Sequence, residues 1–138
     1  MLLKNKTAVI TGCNRGIGKE ILNIFSENGA KVFACVREID EKFKSEIFNL
    51  KSKNNSEIIP ISFDLLNEDQ IKEAAKKILT LSPKIDILVN NAGTIETALF
   101  QMTSLKKLKE IFEVNFFSQI TLTQFILKPM IKNKSGSI

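Results

Sequence analysis

The sequence contains no histidine, which excludes serine–histidine and cysteine–histidine nucleophilic catalysis within these residues. Cysteine is scarce: Cys13 and Cys35 are the only two, too few for a disulfide framework. Without histidine they also fall short of a zinc ligand set, so no metal site is expected. Cys35 lies in a strand-like run and reads as a small buried apolar residue. No apolar run approaches the ~20 residues that span a bilayer. The opening segment, Met1 to Lys6, is too short and too polar for a signal peptide, so the expected location is cytoplasmic, with no membrane partner. The net charge of +5 is carried mostly by lysine. The lysines are spread along prospective helix faces with no interleaved aromatics, which fits a solvated surface and not a nucleic-acid footprint. Arginine occurs only at positions 15 and 37.

What is present is a pattern of alternation. At 138 residues, with 43% apolar and 25% charged side chains, the chain suits one globular domain, residues 1–138. Strand-like runs are expected at about 6–11, 31–36, 58–63 and 85–89. Helices are expected from near 16 to 28, over about 38–53, after a cap at Asn67, and over roughly 104–131. Asn67 with Gln70 has the form of a capping box. Such βα repetition implies parallel strands with right-handed crossovers. The expected fold is a doubly wound α/β sheet of the Rossmann type, strand order 3-2-1-4-5, truncated at the start of strand five. Pro60 cannot donate to a ladder, which places strand three at an edge. Leu105, Leu108, Phe112, Asn115, Phe116, Gln119, Ile120, Thr123 and Ile126 share one broad face of the last helix. Phe117, Leu122 and Phe125 widen that face, either toward a partner chain or within the core. Lys134 to Ile138 reads as a turn and the first residues of a fifth strand, so the chain is expected to be part of a longer protein.

The chain is organised around Thr11-Gly12-Cys13-Asn14-Arg15-Gly16-Ile17-Gly18. A glycine-rich turn between a strand and a helix cradles phosphate. Gly12 permits the tight turn, Gly16 leaves backbone N–H groups open to a pyrophosphate, and Gly18 lets the helix lie close on the sheet. An acidic residue at the end of strand two would bond a ribose 2′-hydroxyl; here Arg37 stands there, and Arg15 projects from the turn toward the same region. Arginine binds a 2′-phosphate by charge-assisted hydrogen bonds, so the cofactor expected is NADP(H). Glu38 reads as an acid in the first turn of helix two. Asp64 ends strand three, either to accept from an adenine amino group or as a turn residue. Asn90, Asn91 and Gly93 lie at the carboxyl edge of the sheet, where ligands bind in such folds. Asn115 reads as a buried amide that holds a water or a backbone carbonyl, or bonds a neighbouring helix.

Together Thr11-Gly12-x-x-x-Gly16-x-Gly18, Asp64-Leu65, Asn90-Asn91-Ala92-Gly93 and Asn115 resemble the short-chain dehydrogenase/reductase family. The glycine turn with Asn14-Arg15 is similar to that of the 3-oxoacyl-acyl-carrier-protein reductases, which would place the protein in fatty acid biosynthesis. The resemblance implies hydride transfer between NADP(H) and a carbonyl or alcohol, on a small-molecule or acyl-thioester substrate. It implies a cofactor site made of Gly12, Asn14, Arg15, Gly16, Ile17, Gly18, Arg37, Asp64, Leu65, Asn91, Ala92 and Gly93. It makes Asn115 the catalytic asparagine that holds a water in the proton relay. It also implies a homotetramer or homodimer built partly on the long helix. The family's remaining catalytic residues are a serine after strand five and a tyrosine–x–x–x–lysine. Neither can be assigned here: the chain has no tyrosine, and Ser135 and Ser137 precede or begin strand five. These 138 residues are therefore expected to be the cofactor half of a reductase and inactive alone; the alternative is a nucleotide-binding fragment or decayed gene product without catalysis.

Overall fold

The computed structural model describes residues Met1–Ile138. Four strands, β1 (Thr7–Thr11), β2 (Lys31–Val36), β3 (Ile58–Ser62) and β4 (Ile87–Val89), form one sheet in the order β3-β2-β1-β4. Every pairing is parallel, with Val9 beside Phe33 and Leu88. Ser137 forms a parallel bridge to Ile87, so the start of a fifth strand lies next to β4, as the expected order requires. Residues 57 and 63 bond β2 through Glu57 O and Phe63 N. By the two-residue period, Pro60 then turns its donor-less nitrogen outward, on the open edge of the sheet.

Strand alternation divides the core between the two faces. Val9, Phe33, Cys35 and Leu88 pack with α3 (Glu68–Leu81) through Ile71, Ala75 and Ile78, and with α5 (Ser118–Lys132) through Leu122 and Ile126. Ala8, Ile10, Val32, Ala34 and Val36 pack on the other face against Leu22 of α1 (Gly16–Glu27) and Phe43 and Ile47 of α2 (Glu41–Asn54). Each fully buried Leu, Ile or Phe contributes roughly 1.5–3 kcal/mol. No helix is long and apolar enough to cross a membrane.

The structure departs from the sequence expectation in four places. The second helix begins at Glu41, because the Asp40 carboxylate accepts the Phe43 N–H at 2.7 Å and caps it there. Glu38 therefore lies in the link after β2, and Glu41 is the first-turn acid. Asn67 does cap α3, accepting the Gln70 N–H at 3.1 Å, but the Gln70 side chain accepts the Asp64 N–H instead of closing a box on Asn67. The fourth strand starts at Ile87, since the Asp86 carboxylate takes the Thr7 N–H at 2.9 Å where the ladder would begin.

The fourth departure is the largest. The long helix is interrupted: α4 (Leu105–Phe112) runs into a π-helical turn, Glu113–Phe117, before α5. A π turn inserts a residue into the helical repeat and rotates the next helical segment relative to the one before it. The buried set on α5 is Ser118, Gln119, Leu122, Ile126 and Met130. Leu105, Phe112, Phe116 and Ile120, expected on one buried stripe, are exposed. Of the two phenylalanines expected to widen that face, Phe125 packs against the core and Phe117 is exposed.

Candidate functional site

Two turns at the carboxyl edge of the sheet meet to make the site. The first follows β1. Gly12 (φ +74°) and Gly16 (φ +54°) both adopt the left-handed backbone that favours glycine. The N–H groups of Gly12 and Cys13 donate to the Cys35 carbonyl at 2.9 and 3.2 Å, which anchors the turn to β2. Cys13 points inward; its thiol donates to the Ile10 carbonyl at 3.1 Å, and burial pushes it up to about 12. It is therefore a packing residue and not a nucleophile. Arg15 occupies the N-cap of α1 in extended backbone without a side-chain cap. The N–H groups of Gly16, Ile17 and Gly18 have no protein acceptor. Free N–H groups at the positive end of a helix form a seat for an anion.

The second turn follows β4. The Thr11 hydroxyl accepts the N–H groups of Asn91 and Ala92, each at 3.0 Å. The Asn91 side-chain amide donates to the carbonyls of Thr11 at 3.0 Å and Gly12 at 3.3 Å. These bonds press the turns together. A Cβ on Gly12 would lie 2.9 Å from Asn91 Nδ2, and one on Gly18 would lie 2.1 Å from the Gly12 carbonyl oxygen. Gly16 is different, because its Cβ would meet nothing within 4 Å; its side faces open space. Asn90 turns away and donates to the Thr123 hydroxyl on α5 at 2.9 Å. Asn115 is exposed, not buried as the sequence suggested. Its side chain accepts the Thr94 N–H and donates to the Thr94 carbonyl, both at 2.8 Å, so it grips a loop and not another helix.

A cavity of about 770 Å³ opens between the turns. All the expected cofactor residues line it except Gly18, which is consumed by helix–turn packing; Asn115 stands behind Gly93 and does not line it. Arg15 and Arg37 line it with no carboxylate within ion-pair distance, and Glu38 does not reach it. Asp64 lines it while its carboxylate accepts the Leu66 N–H at 2.9 Å, so it also serves as a turn residue. The Ser118 hydroxyl donates to the Leu65 carbonyl and fixes the start of α5 to this end of the cavity. Val114, Lys107 and Glu110 complete the wall. Lys107 pairs with Glu96 at 3.4 Å and Glu110 at 3.9 Å. Sequence reasoning gave these three no role, nor the Thr11 hydroxyl, nor Gln119. For Gln119 a signal existed, a polar side chain on an otherwise apolar helix face; for Lys107 and Glu110 there was none.

Fold and site together define a Rossmann-type unit, and the comparisons with known proteins place it. The chain belongs to the short chain dehydrogenase family, whose model matches residues 6–138. It is 34% identical over 140 residues to Dehydrogenase/reductase SDR family member 7B of Rattus norvegicus, covering 99% of this chain and 43% of that protein. It is 33% identical over 138 residues to the 3-oxoacyl-acyl-carrier-protein reductase FabG of Chlamydia muridarum, covering 99% of this chain and 55% of that one. A metagenomic short-chain oxidoreductase solved in complex with NADP superposes with a TM-score of 0.90 at 27% identity, over 99% of this chain and 60% of that one. The chain thus spans about half the length of the relatives it matches.

Proposed function

We propose that residues 1–138 form the NADP(H)-binding domain of an oxidoreductase of the carbonyl or 3-oxoacyl reductase type. The observation that carries this is the pair of unpaired guanidinium groups, Arg15 and Arg37, on the wall of a cavity floored by free helix N–H groups. A pyrophosphate suits the N–H groups, and a 2′-phosphate suits the two arginines. The residues present fit the coenzyme: Gly16 presents no side chain to the cavity, and the acid that would repel a 2′-phosphate, Glu38, lies outside it. When bound, the nicotinamide coenzyme supplies the hydride. In this reading Arg15 and Arg37 hold phosphate, Gly12, Asn14, Gly16, Ile17, Leu65 and Ala92 shape the seat, and Asp64 faces the adenine end. Asn91 braces the seat, and Asn115 holds the loop that begins at Thr94.

Carbonyl reduction also needs a proton donor, and no tyrosine is present in these residues to serve. That observation favours a second reading, in which this chain binds nucleotide without turning over. The likeness to the Chlamydia reductase supports an acyl thioester as substrate of the whole protein and a place in fatty acid synthesis. The exposed Leu105, Phe112, Phe116 and Phe117 support a dimer or tetramer built on this side, and the cytoplasm is the proposed location. Titration with NADPH and NADH, followed by nicotinamide fluorescence, tests the reading. NADPH is expected to bind at least tenfold tighter, and failure to bind either coenzyme would remove it. Oxidation of NADPH with acetoacetyl thioester separates the two readings: none is expected from this chain.

A further inference from the structure

We infer that Gln119 is a positioning residue of the coenzyme site, an inference that rests on the reading of that site given above. Gln119 lies in the first turn of α5, on its buried face, 8% exposed. Its Nε2 donates to the Ala92 carbonyl at 2.5 Å. Its Oε1 is buried without a hydrogen-bond partner, the only side-chain oxygen or nitrogen in the chain so placed. A buried acceptor with no donor destabilises a fold; a methionine of similar size would remove this one, but it would leave the Ala92 carbonyl without its donor. Packing alone therefore does not account for an amide here. Its single bond does, because that bond completes the hold on one peptide group.

Ala92 is gripped from both ends. Its N–H donates to the Thr11 hydroxyl at 3.0 Å, on the sheet side, and its carbonyl accepts from Gln119, on the helix side. The preceding residue, Asn91, carries the side chain that braces the glycine turn. The clearance is small: a Cβ on Gly12 would lie 3.0 Å from Ala92 Cα. A shift of Ala92 is therefore passed to Asn91 and to the phosphate seat. Turning the Gln119 amide over would bring Oε1 against the Ala92 carbonyl, acceptor against acceptor, so Ala92 alone sets its orientation. The π turn at 113–117 lets two amides serve one loop: Asn115 within it holds Thr94, and Gln119 just beyond it holds Ala92.

The test is NADPH titration by coenzyme fluorescence, paired with urea unfolding, on wild type, Gln119→Met, Thr11→Val and the double variant. Gln119→Met is expected to weaken NADPH binding about three- to tenfold, the effect of one lost hydrogen bond. Its urea midpoint is expected to stay close to wild type, because loss of the orphaned Oε1 offsets the Ala92 carbonyl's loss of its donor. The double variant is expected to lose less affinity than the two single losses combined, since both residues hold the same peptide. Unchanged affinity, a fall in affinity matched by a fall in urea midpoint, or additive losses would each overturn the inference. Absence of NADPH binding by wild type would instead remove the proposed function on which it rests.

Discussion

The side-chain amide of Asn91 donates to the main-chain carbonyl of Thr11 at 3.0 Å, across 80 residues of sequence. The Thr11 hydroxyl returns the hold by accepting the Asn91 N–H at the same distance. This reciprocal pair joins the ends of β1 and β4 at the point where the central strands open into a cavity. It makes the glycine turn a preorganised object, since its shape is fixed by neighbours before any ligand arrives.

The glycines then divide by task, and substitution should separate the tasks. Gly18→Ala places a Cβ 2.1 Å from the Gly12 carbonyl oxygen, which forces backbone to move. It is expected to cost roughly 1–3 kcal/mol in urea unfolding. Gly16→Ala meets no atom and carries only the strain of φ +54°, about 1–2 kcal/mol. Its larger effect is expected on binding, with NADPH affinity falling at least tenfold as the methyl group enters the phosphate seat. Wild-type affinity in Gly16→Ala would show that the open side of Gly16 is not where the coenzyme lies.

Arg37 should decide between coenzymes. Reversing its charge, Arg37→Asp, puts a carboxylate at the end of β2 where it can bond a ribose 2′-hydroxyl and repel a 2′-phosphate. A charge-assisted hydrogen bond contributes about 1.5–3 kcal/mol, so the NADPH/NADH affinity ratio is expected to fall about ten- to hundredfold. Arg15→Ala is expected to weaken NADPH more than NADH, without the gain for NADH. An unchanged ratio in Arg37→Asp would take Arg37 out of the phosphate site.

Much of this architecture was legible from residues alone, for identifiable reasons. The unbroken apolar runs of β1 and β2 belong to strands covered on both faces, and Pro60 marked the edge because its missing donor has a direct geometric meaning. The glycine turn was legible because three close glycines between a strand and a helix have few other uses. The interrupted helix was not. Phe112, Phe116 and Ile120 fit a regular 3.6-residue stripe, and periodicity cannot detect the residue inserted in the π turn, which also carries Asn115 to its bonds with Thr94. Likewise Asp40 and Asp86 were anonymous acids in the sequence. Their partners, Phe43 N–H and Thr7 N–H, moved the start of α2 and the start of β4.

Asp86 gives the fold a pH dependence. Burial pushes its carboxyl up, but the Thr7 N–H together with Lys84 and Lys6 outweighs that and holds it below the ordinary value of 3.8. Lys84 and Lys6 lie at 3.3 and 3.6 Å. A depressed folded-state value means the contribution is complete above 3.8 and is lost as pH falls through the lower, folded value. Asp86→Asn is therefore expected to cost roughly 1–3 kcal/mol at pH 7, as a charged acceptor becomes neutral. The gap to wild type should close progressively below pH 3.8. Urea midpoints measured from pH 7 downward check this, and a gap independent of pH would mean the carboxylate's charge is not what stabilises the sheet.

The two cysteines offer a chemical reading of the same packing. Cys13 lies in the glycine turn and Cys35 beside it on β2, both free and fully enclosed. Burial pushes Cys13 up to about 12, and burial, with the neighbouring Cys13, raises Cys35 well above its ordinary range. Thiolate is the reactive form, so neither thiol is expected to react with a disulfide reagent at pH 8 in the folded protein. Both should react at once in urea. In native buffer the labelling rate should then track opening of the turn, and NADPH should slow it by holding the folded state. Fast labelling of native protein, unaffected by NADPH, would show that the glycine turn is not the closed, preorganised element described here.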